Sequence, residues 1–455
     1  MTMLGTSESR PATPPLFAVP VAACPEPAGS GGLTVTDSEP TRRYRNYVLA
    51  ILVVVYTMNF ADRQILAILA KPIKAEFNLS DGQFGLMAGL AFAALYSTLG
   101  VPIAWFADRS SRRTIMTWAL LLWSGFTALC GLTTSFAQIF LARVGVGIGE
   151  AGGVAPSYSM IADYFPKAQR ARALSVYSLG IPIGGAAGIL FAGLIAQAIN
   201  WRAAFIILGC AGLVIAPIFR LTVKDPQRGG YEAPATVAAK PSFGEVFAIV
   251  SKKSTFWLLA FGAAASSVCG YGVAGWLPSF FMRSYHLSLV DTSWYYAALT
   301  LGGGCLGILG GGILADRAGR MGNKRAYPLI PAIAFAVALP CFFFAVNASS
   351  AIIAFPLFLV PIGLNLMWLG PIITAVQHLV PAHMRTTASA MFLLINNLFG
   401  IAIGLYYFGA VSDALRPHYG DESLRYAIYT GMAFYVLSGS LFVLASRKIK
   451  KHWVE

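Results

Sequence analysis

The chain reads as long apolar runs broken by short polar stretches, and the runs outlast anything a soluble core needs. Twelve of them are long enough, at about 1.5 Å per residue, to cross roughly 30 Å of hydrocarbon as helices. They centre on residues 47–70, 84–107, 114–134, 137–165, 171–198 and 202–222, then on 254–282, 292–315, 326–346, 351–380, 385–411 and 423–446. Residues 223–252 are polar and punctuated by proline, as a linker is. Residues 1–45 are rich in Pro, Ser, Thr and Gly, with no apolar stretch of the signal-peptide kind. They are expected to form a disordered cytoplasmic tail. The pattern predicts an all-α integral membrane protein, with a six-helix bundle at 46–222, a second at 253–446 and a short basic tail at 447–455.

Composition agrees. The chain is 57% hydrophobic and 11% charged, against about 25% charged in soluble domains. Its net charge of +14 does not point to nucleic acid, because the basic residues cluster between apolar runs in the positive-inside pattern. One side collects Arg42, Arg43, Arg45, Arg109, Arg112, Arg113, Lys167, Arg170 and Arg172. Arg317, Arg320, Lys324, Arg325, Arg447, Lys448, Lys450 and Lys451 fall there too. The opposite loops carry scattered bases such as Lys71, Lys74, Arg202 and Arg283. Both termini are therefore expected in the cytoplasm, with the chain in the cell membrane (the inner membrane of a bacterium). The six cysteines form no CxxC pair, so neither a disulfide framework nor a metal site is expected.

The two halves repeat each other. Ala104-Trp-Phe-Ala-Asp108-Arg109-Ser-Ser-Arg112-Arg113 lies between segments two and three, and Gly312-Ile-Leu-Ala-Asp316-Arg317-Ala-Gly319-Arg320 between eight and nine. After segments four and ten, Pro166 to Ala173 and Pro381 to Ala388 share the spacing Pro-x-x-x-Arg-x-x-Ala. Two motifs at matched places indicate a duplicated six-helix unit. The Asp-Arg-x-Gly-Arg loop resembles the signature of the major facilitator superfamily. The first copy departs from it, with Ala104 for the leading Gly and Ser111 for the internal one. Asn59-Phe-Ala-Asp62-Arg63, Pro72 to Phe77, and Arg143 to Glu150 are similar to the spinster-like branch. That resemblance implies two bundles rocking about a central site and a lysophospholipid or sphingolipid cargo.

Four charges sit inside apolar runs: Asp62 and Arg63 in segment one, Arg143 and Glu150 in segment four. An ionised side chain at mid-membrane costs roughly 2.5–3.5 kcal/mol, and four unpaired ones on the order of 10. Arg143 and Glu150 are seven residues apart. They share a helix face at a separation of roughly 10 Å, too far for a direct pair. Partners must come from segment one: Arg143 with Asp62, and Arg63 with Glu150, in pairings that can exchange. Low dielectric opposes ionisation of a carboxylate, and a nearby arginine counters that. An arginine that swings away then lets the carboxylate take a proton. Asp62 is the preferred switch, with Glu150 the alternative. The arginines suit an anionic head group. An ion-pair network that merely locks two helices is the plainer reading, but such pairs rarely outperform apolar packing.

The second half has few internal charges and offers Tyr271, Trp276, Trp294, Trp368, Asn365, Asn396, Asn397 and His378 instead. With Asn59, the candidates for a cavity lining are Tyr271, Trp276, Trp368, Asn365, Asn396 and Asn397. One charged wall facing one aromatic wall suits an amphiphile. His378, near a segment end, reads as a capping or interface residue and not as a proton carrier.

Asp108, Arg109, Arg112, Arg113, Asp163, Asp316, Arg317 and Arg320 read as a cytoplasmic gate. A carboxylate there can bind the N-terminus of a helix in the other half. Asp108 is expected to reach the start of segment eleven near Arg385, and Asp316 the start of segment five near Arg170. Asp163 is expected to pair with Arg112 or Arg113. Gly145, Gly149 and Gly153, and Gly303, Gly307 and Gly311, recur every fourth residue and allow close helix contact. Pro156, Pro182 and Pro361 are expected to bend their helices. The reading is a monomeric, proton-coupled transporter that moves a lipid-like molecule among membrane lipids and needs no cofactor. A transporter of a small organic anion or drug-like solute is the alternative. A ligand sensor would need a signalling domain. An enzyme would need a catalytic constellation, and none is visible.

Overall fold

A backbone in lipid finds no water to bond, so each apolar run must close its hydrogen bonds within itself. In the computed structural model of the protein, which describes residues 41–107, 109–226, 242–381 and 384–454, the regular elements are helices. The first half contains α1 (Arg42–Phe77), α2 (Asp81–Ala88), α3 (Leu90–Ala107), α4 (Arg112–Cys130), α5 (Phe136–Glu150), α6 (Val154–Tyr164), α7 (Lys167–Ser178), α8 (Gly180–Ala198) and α9 (Trp201–Thr222). After α10 (Phe243–Ser251) come α11 (Ser254–Ser284), α12 (Leu289–Arg320), α13 (Ala326–Val346), α14 (Ala351–Leu366), α15 (Leu369–Gln377), α16 (Arg385–Tyr419), α17 (Ser423–Gly431) and α18 (Ala433–His452).

Among the described residues, ten helical stretches have the length and hydropathy to cross a membrane. The stretch Arg385–His452 holds two crossings. The twelfth is α4, which opens on Arg112 and Arg113. Among the described residues the fold is therefore twelve transmembrane helices in two bundles of six, five of them broken into two pieces.

Three of the breaks have a common cause. Proline has no N–H to offer the carbonyl four residues earlier. The break between α5 and α6 precedes Pro156, that between α7 and α8 precedes Pro182, and that between α14 and α15 precedes Pro371. Pro361 lies inside α14 without breaking it, so the expected bend of segment ten falls at Pro371 instead.

Three boundaries differ from the sequence expectation. Thr41 caps α1, so the helix starts inside the stretch read as tail. Helix α18 continues to His452. The linker holds α10, closed by a Ser242–Glu245 capping box, with Val246 and Val250 buried. The rest of the expected N-terminal tail lies outside the described residues. At the C-terminus, Trp453 stacks on His378 with centroids 4.4 Å apart, and the Val454 N–H donates to the His378 carbonyl at 2.7 Å.

Glycine sets the helix spacing. A Cβ on Gly149 would lie 2.5 Å from the backbone nitrogen and 2.8 Å from the Cα of Trp123, so α5 approaches α4 backbone to backbone. The two halves meet where α2 and α3 pack along α16, and α8 along α12. These contacts run from mid-membrane toward the face opposite the basic clusters. Gly82, Gly85 and Gly89 of α2 and its end abut residues 401–413 of α16, and Gly193 of α8 abuts Ser293.

Candidate functional site

The break after Glu150 places that carboxylate at the C-terminal end of α5, deep in the first half. Asp62, Arg143 and Glu150 are 2%, 1% and 0% exposed, and the Arg63 side chain 11%. Arg63 Nε donates to Glu150 Oε2 at 2.8 Å. The Arg63 guanidinium lies 5.1, 4.9 and 4.5 Å from the ring centroids of Phe60, Phe92 and Tyr96. Arg143 stands 5.4 Å from the Phe92 ring, so one aromatic serves two cations. Such contacts are worth up to about 2 kcal/mol when desolvated.

Asp62 and Arg143 lie within electrostatic range of each other and of Glu150. They form no ion pair within 4.0 Å. Asp62 Oδ1, Arg63 Nη2, Arg143 Nε and Nη1, Glu150 Oε1 and both polar side-chain atoms of Asn59 are buried without a protein hydrogen bond. Thr127 stands close to Asp62, Asn59 to Glu150 and Tyr96 to Arg63.

Arg63, Gln64, Phe92 and Arg143 line a cavity of about 50 Å³, which Tyr271, Ala274, Gly275, Ile401 and Leu405 close from the second half. It lies between the two halves, with a cationic wall on one side and an apolar one on the other. At about 10–15 Å³ per water centre it admits a few waters, whereas a drug-sized ligand needs roughly 300–1,000 Å³. Loading such a ligand requires the halves to part.

The other lining candidates lie elsewhere. Asn59 lines a smaller pocket of about 10 Å³ with Tyr56, Trp123 and Tyr177. The Trp276 indole N–H donates to the Leu405 carbonyl at 2.9 Å, and its ring meets Phe84, on the face where the halves close. Trp368 packs on Phe392, and Asn365 accepts from the Tyr435 hydroxyl at 2.9 Å, both inside the second half. Asn396 accepts from Ser267 at 2.8 Å and donates to Asn397.

On the basic face Arg112 is a hub, 2% exposed. It pairs with Asp163, donates to Ser159 at 3.0 Å, to Asp225 at 3.1 Å and to the Pro226 carbonyl at 2.7 Å. Arg113 reaches the Val223 carbonyl at 3.5 Å. Arg109, Asp316, Arg317 and Arg320 are exposed. Arg170 donates to the Phe165 carbonyl at 3.0 Å, and Arg385 meets His378 at 3.5 Å. Asp108 lies outside the described residues.

Sequence reasoning missed the cluster opposite. Asp81, 0% exposed, accepts from Arg283 at 2.9 and 2.7 Å and from Ser412 at 2.8 Å, and pairs with Lys74. Lys74 and Arg283 had read as stray loop charges. Nothing in their local sequence says that they meet.

Two bundles of six helices around a charged central cavity are the build of a multi-pass membrane transporter. The Major Facilitator Superfamily model matches residues 52–405, and the chain belongs to that family. Within it the chain is spinster-like, and it is a transporter, not an enzyme. An MFS-type efflux pump of Mycolicibacterium smegmatis is 32% identical over 408 residues, covering 90% of this chain and 94% of its own. Protein spinster homolog 1 of Xenopus tropicalis is 27% identical over 435 residues, covering 90% of this chain and 82% of its own. A bacterial homologue of the human lysosomal transporter Spinster, solved inward-facing and unoccupied, superposes with a TM-score of 0.82 at 30% identity, over 91% of this chain and 99% of that one.

Proposed function

We propose that the protein moves a lysophospholipid or sphingolipid-like amphiphile across the cell membrane by alternating access, coupled to protons. The observation that carries this reading is the charged set Asp62, Arg63, Arg143 and Glu150 inside the first half, of which Arg63 and Arg143 line the cavity between the halves. Arg63 and Arg143 would hold an anionic head group. Asp62 and Glu150 would take and release protons as the arginines change partners. Tyr271, Ile401 and Leu405 offer an acyl chain an apolar wall. Residues 46–222 would rock against 253–446 in a monomer with both termini in the cytoplasm. Asp108, Arg109, Arg112, Arg113, Asp163, Asp316, Arg317 and Arg320 would gate the cytoplasmic side. The lipid class is what the resemblance of Asn59 to Arg63, Pro72 to Phe77 and Arg143 to Glu150 to the spinster-like branch implies.

A second reading is a small organic anion or drug-like solute. The small cavity and the 32% identical efflux pump favour it. The test is flux of labelled lysophospholipid through proteoliposomes, with and without an imposed pH gradient, for the wild type and Asp62→Asn. Flux that rises with the gradient and fails in the variant supports the proposal. Gradient-independent flux in both removes proton coupling through Asp62. No lysolipid flux from folded protein transfers the search to small anions.

A further inference from the structure

Helices α4 and α9 run antiparallel and pack closely. A Cβ on Gly209 would lie 2.6 Å from the Ser124 carbonyl oxygen, and one on Gly131 2.6 Å from the Arg202 carbonyl oxygen. Carried on toward the basic face, this register sets Thr114 beside Arg220 and Arg113 beside Val223. Arg220 Nη1 donates to the Thr114 hydroxyl at 3.0 Å, and Arg113 Nη1 to the Val223 carbonyl at 3.5 Å. Two half-buried guanidiniums therefore share the end of one helix pair. Each carries five N–H donors, and these contacts use one apiece. Arg113 Nε is buried without a hydrogen-bond partner. Among the described residues no carboxylate pairs with Arg113 or Arg220, whereas the neighbouring Arg112 takes both Asp163 and Asp225.

The same end of the pair faces lipid. Trp118 stands one turn beyond Thr114 on α4 and is 62% exposed, and Leu122 and Ile218 continue that surface toward the bilayer centre. An exposed tryptophan at the edge of the hydrocarbon is an interfacial anchor. It places the two guanidiniums at head-group level, with aromatic and apolar surface directly beneath them. Two cations held together without an anion repel each other. A phosphate between them relieves that repulsion and takes up the spare donors. A zwitterionic head group would bring its own ammonium to the same cations. We propose that Arg113 and Arg220 hold the phosphate of an anionic phospholipid from the leaflet at the basic face, with an acyl chain along Trp118, Leu122 and Ile218. This lipid lies outside the central cavity and is separate from the cargo. Because Arg113 also stands in the proposed gating set, Arg220 and Trp118 carry the test.

Purified, delipidated protein is titrated with dioleoyl phosphatidylglycerol and, in parallel, with dioleoyl phosphatidylcholine. Native mass spectrometry follows the first lipid bound. The wild type should hold phosphatidylglycerol about tenfold or more tighter. That comparison needs no variant, so a misfolded mutant cannot obscure it. Arg220→Gln should weaken phosphatidylglycerol about fivefold, as loss of one basic contact does, and leave phosphatidylcholine unchanged. Trp118→Ala should weaken both lipids alike, because it touches only the chain. Lys448→Gln, an exposed lysine on the same face of the second half, should change neither. Equal affinity of the wild type for the two lipids overturns the site. Equal weakening by Lys448→Gln also overturns it, since the attraction would then belong to the whole basic face. Loss of the preference in Arg63→Gln, with Arg220→Gln like wild type, puts the lipid in the central cavity and overturns it too. Displacement of phosphatidylglycerol by equimolar glycerol 3-phosphate would overturn a lipid as the occupant.

Discussion

Replacing Gly311 by alanine probes how the second half holds itself together. Helix α12 crosses α14 and α15 at their break, where Pro371 denies the Met367 carbonyl its usual donor. Gly311 packs against that carbonyl. A Cβ there would lie 2.6 Å from the Met367 oxygen and 3.0 and 3.1 Å from its Cα and carbonyl carbon. Ordinary contact begins at 3.4 Å, so the backbones must part by about 0.8 Å, the difference from 2.6 Å. All three atoms are backbone, so no side chain can swing aside. Overpacking of this kind costs about 1–3 kcal/mol. The next residue supplies the control, since a Cβ on Gly312 meets nothing within 4 Å. Alanine at Gly312 therefore brings only its helix preference over glycine, up to about 1 kcal/mol. That same preference is present at Gly311, so the difference between the variants isolates the clash. Thermal unfolding of purified protein in detergent, followed by tryptophan fluorescence, reads it. Gly311→Ala should melt below the wild type and Gly312→Ala at or above it. Equal shifts in the two variants would refute the argument from helix spacing.

Other outcomes follow from the same contacts. Arg112→Gln should destabilise the first half by about 3–5 kcal/mol, because Asp163 and Asp225 lose the buried cation between them. Arg112→Lys should recover only part of this, since one ammonium cannot serve four directed acceptors, and melting temperatures check both. Glu150→Gln should weaken the bond from Arg63 by about 1.5–3 kcal/mol. It should also abolish the response of flux to a pH gradient while the protein stays folded, and gradient-driven flux equal to wild type would remove Glu150 from coupling. Trp453→Ala should release the C-terminal segment from His378. Faster hydrogen exchange at the Val454 amide would report that, and an unchanged rate would mean that the stack does not hold the tail.

Some of this was written in the chain itself. Twelve apolar runs fix twelve helices, because in lipid the backbone has no other way to satisfy its polar groups. Charges buried in those runs mark Asp62, Arg63, Arg143 and Glu150, because nothing but a partner or a function retains them there. Spacing alone put Arg143 and Glu150 on one face, two turns apart. Tertiary structure decided what spacing could not. Trp276, Trp368 and Asn365 carry the same side chains whether they line a cavity or fill a core, and only the rotation of each helix against its neighbours sorts them. Pro361 and Pro371 look alike in sequence, and the chain breaks at one. Asp81 and Arg283 are 202 residues apart. Neither residue looks unusual in its own stretch, since a charge at a helix end is ordinarily solvated. Their meeting depends on how the two bundles lean together, a property of shape between elements that no local pattern encodes.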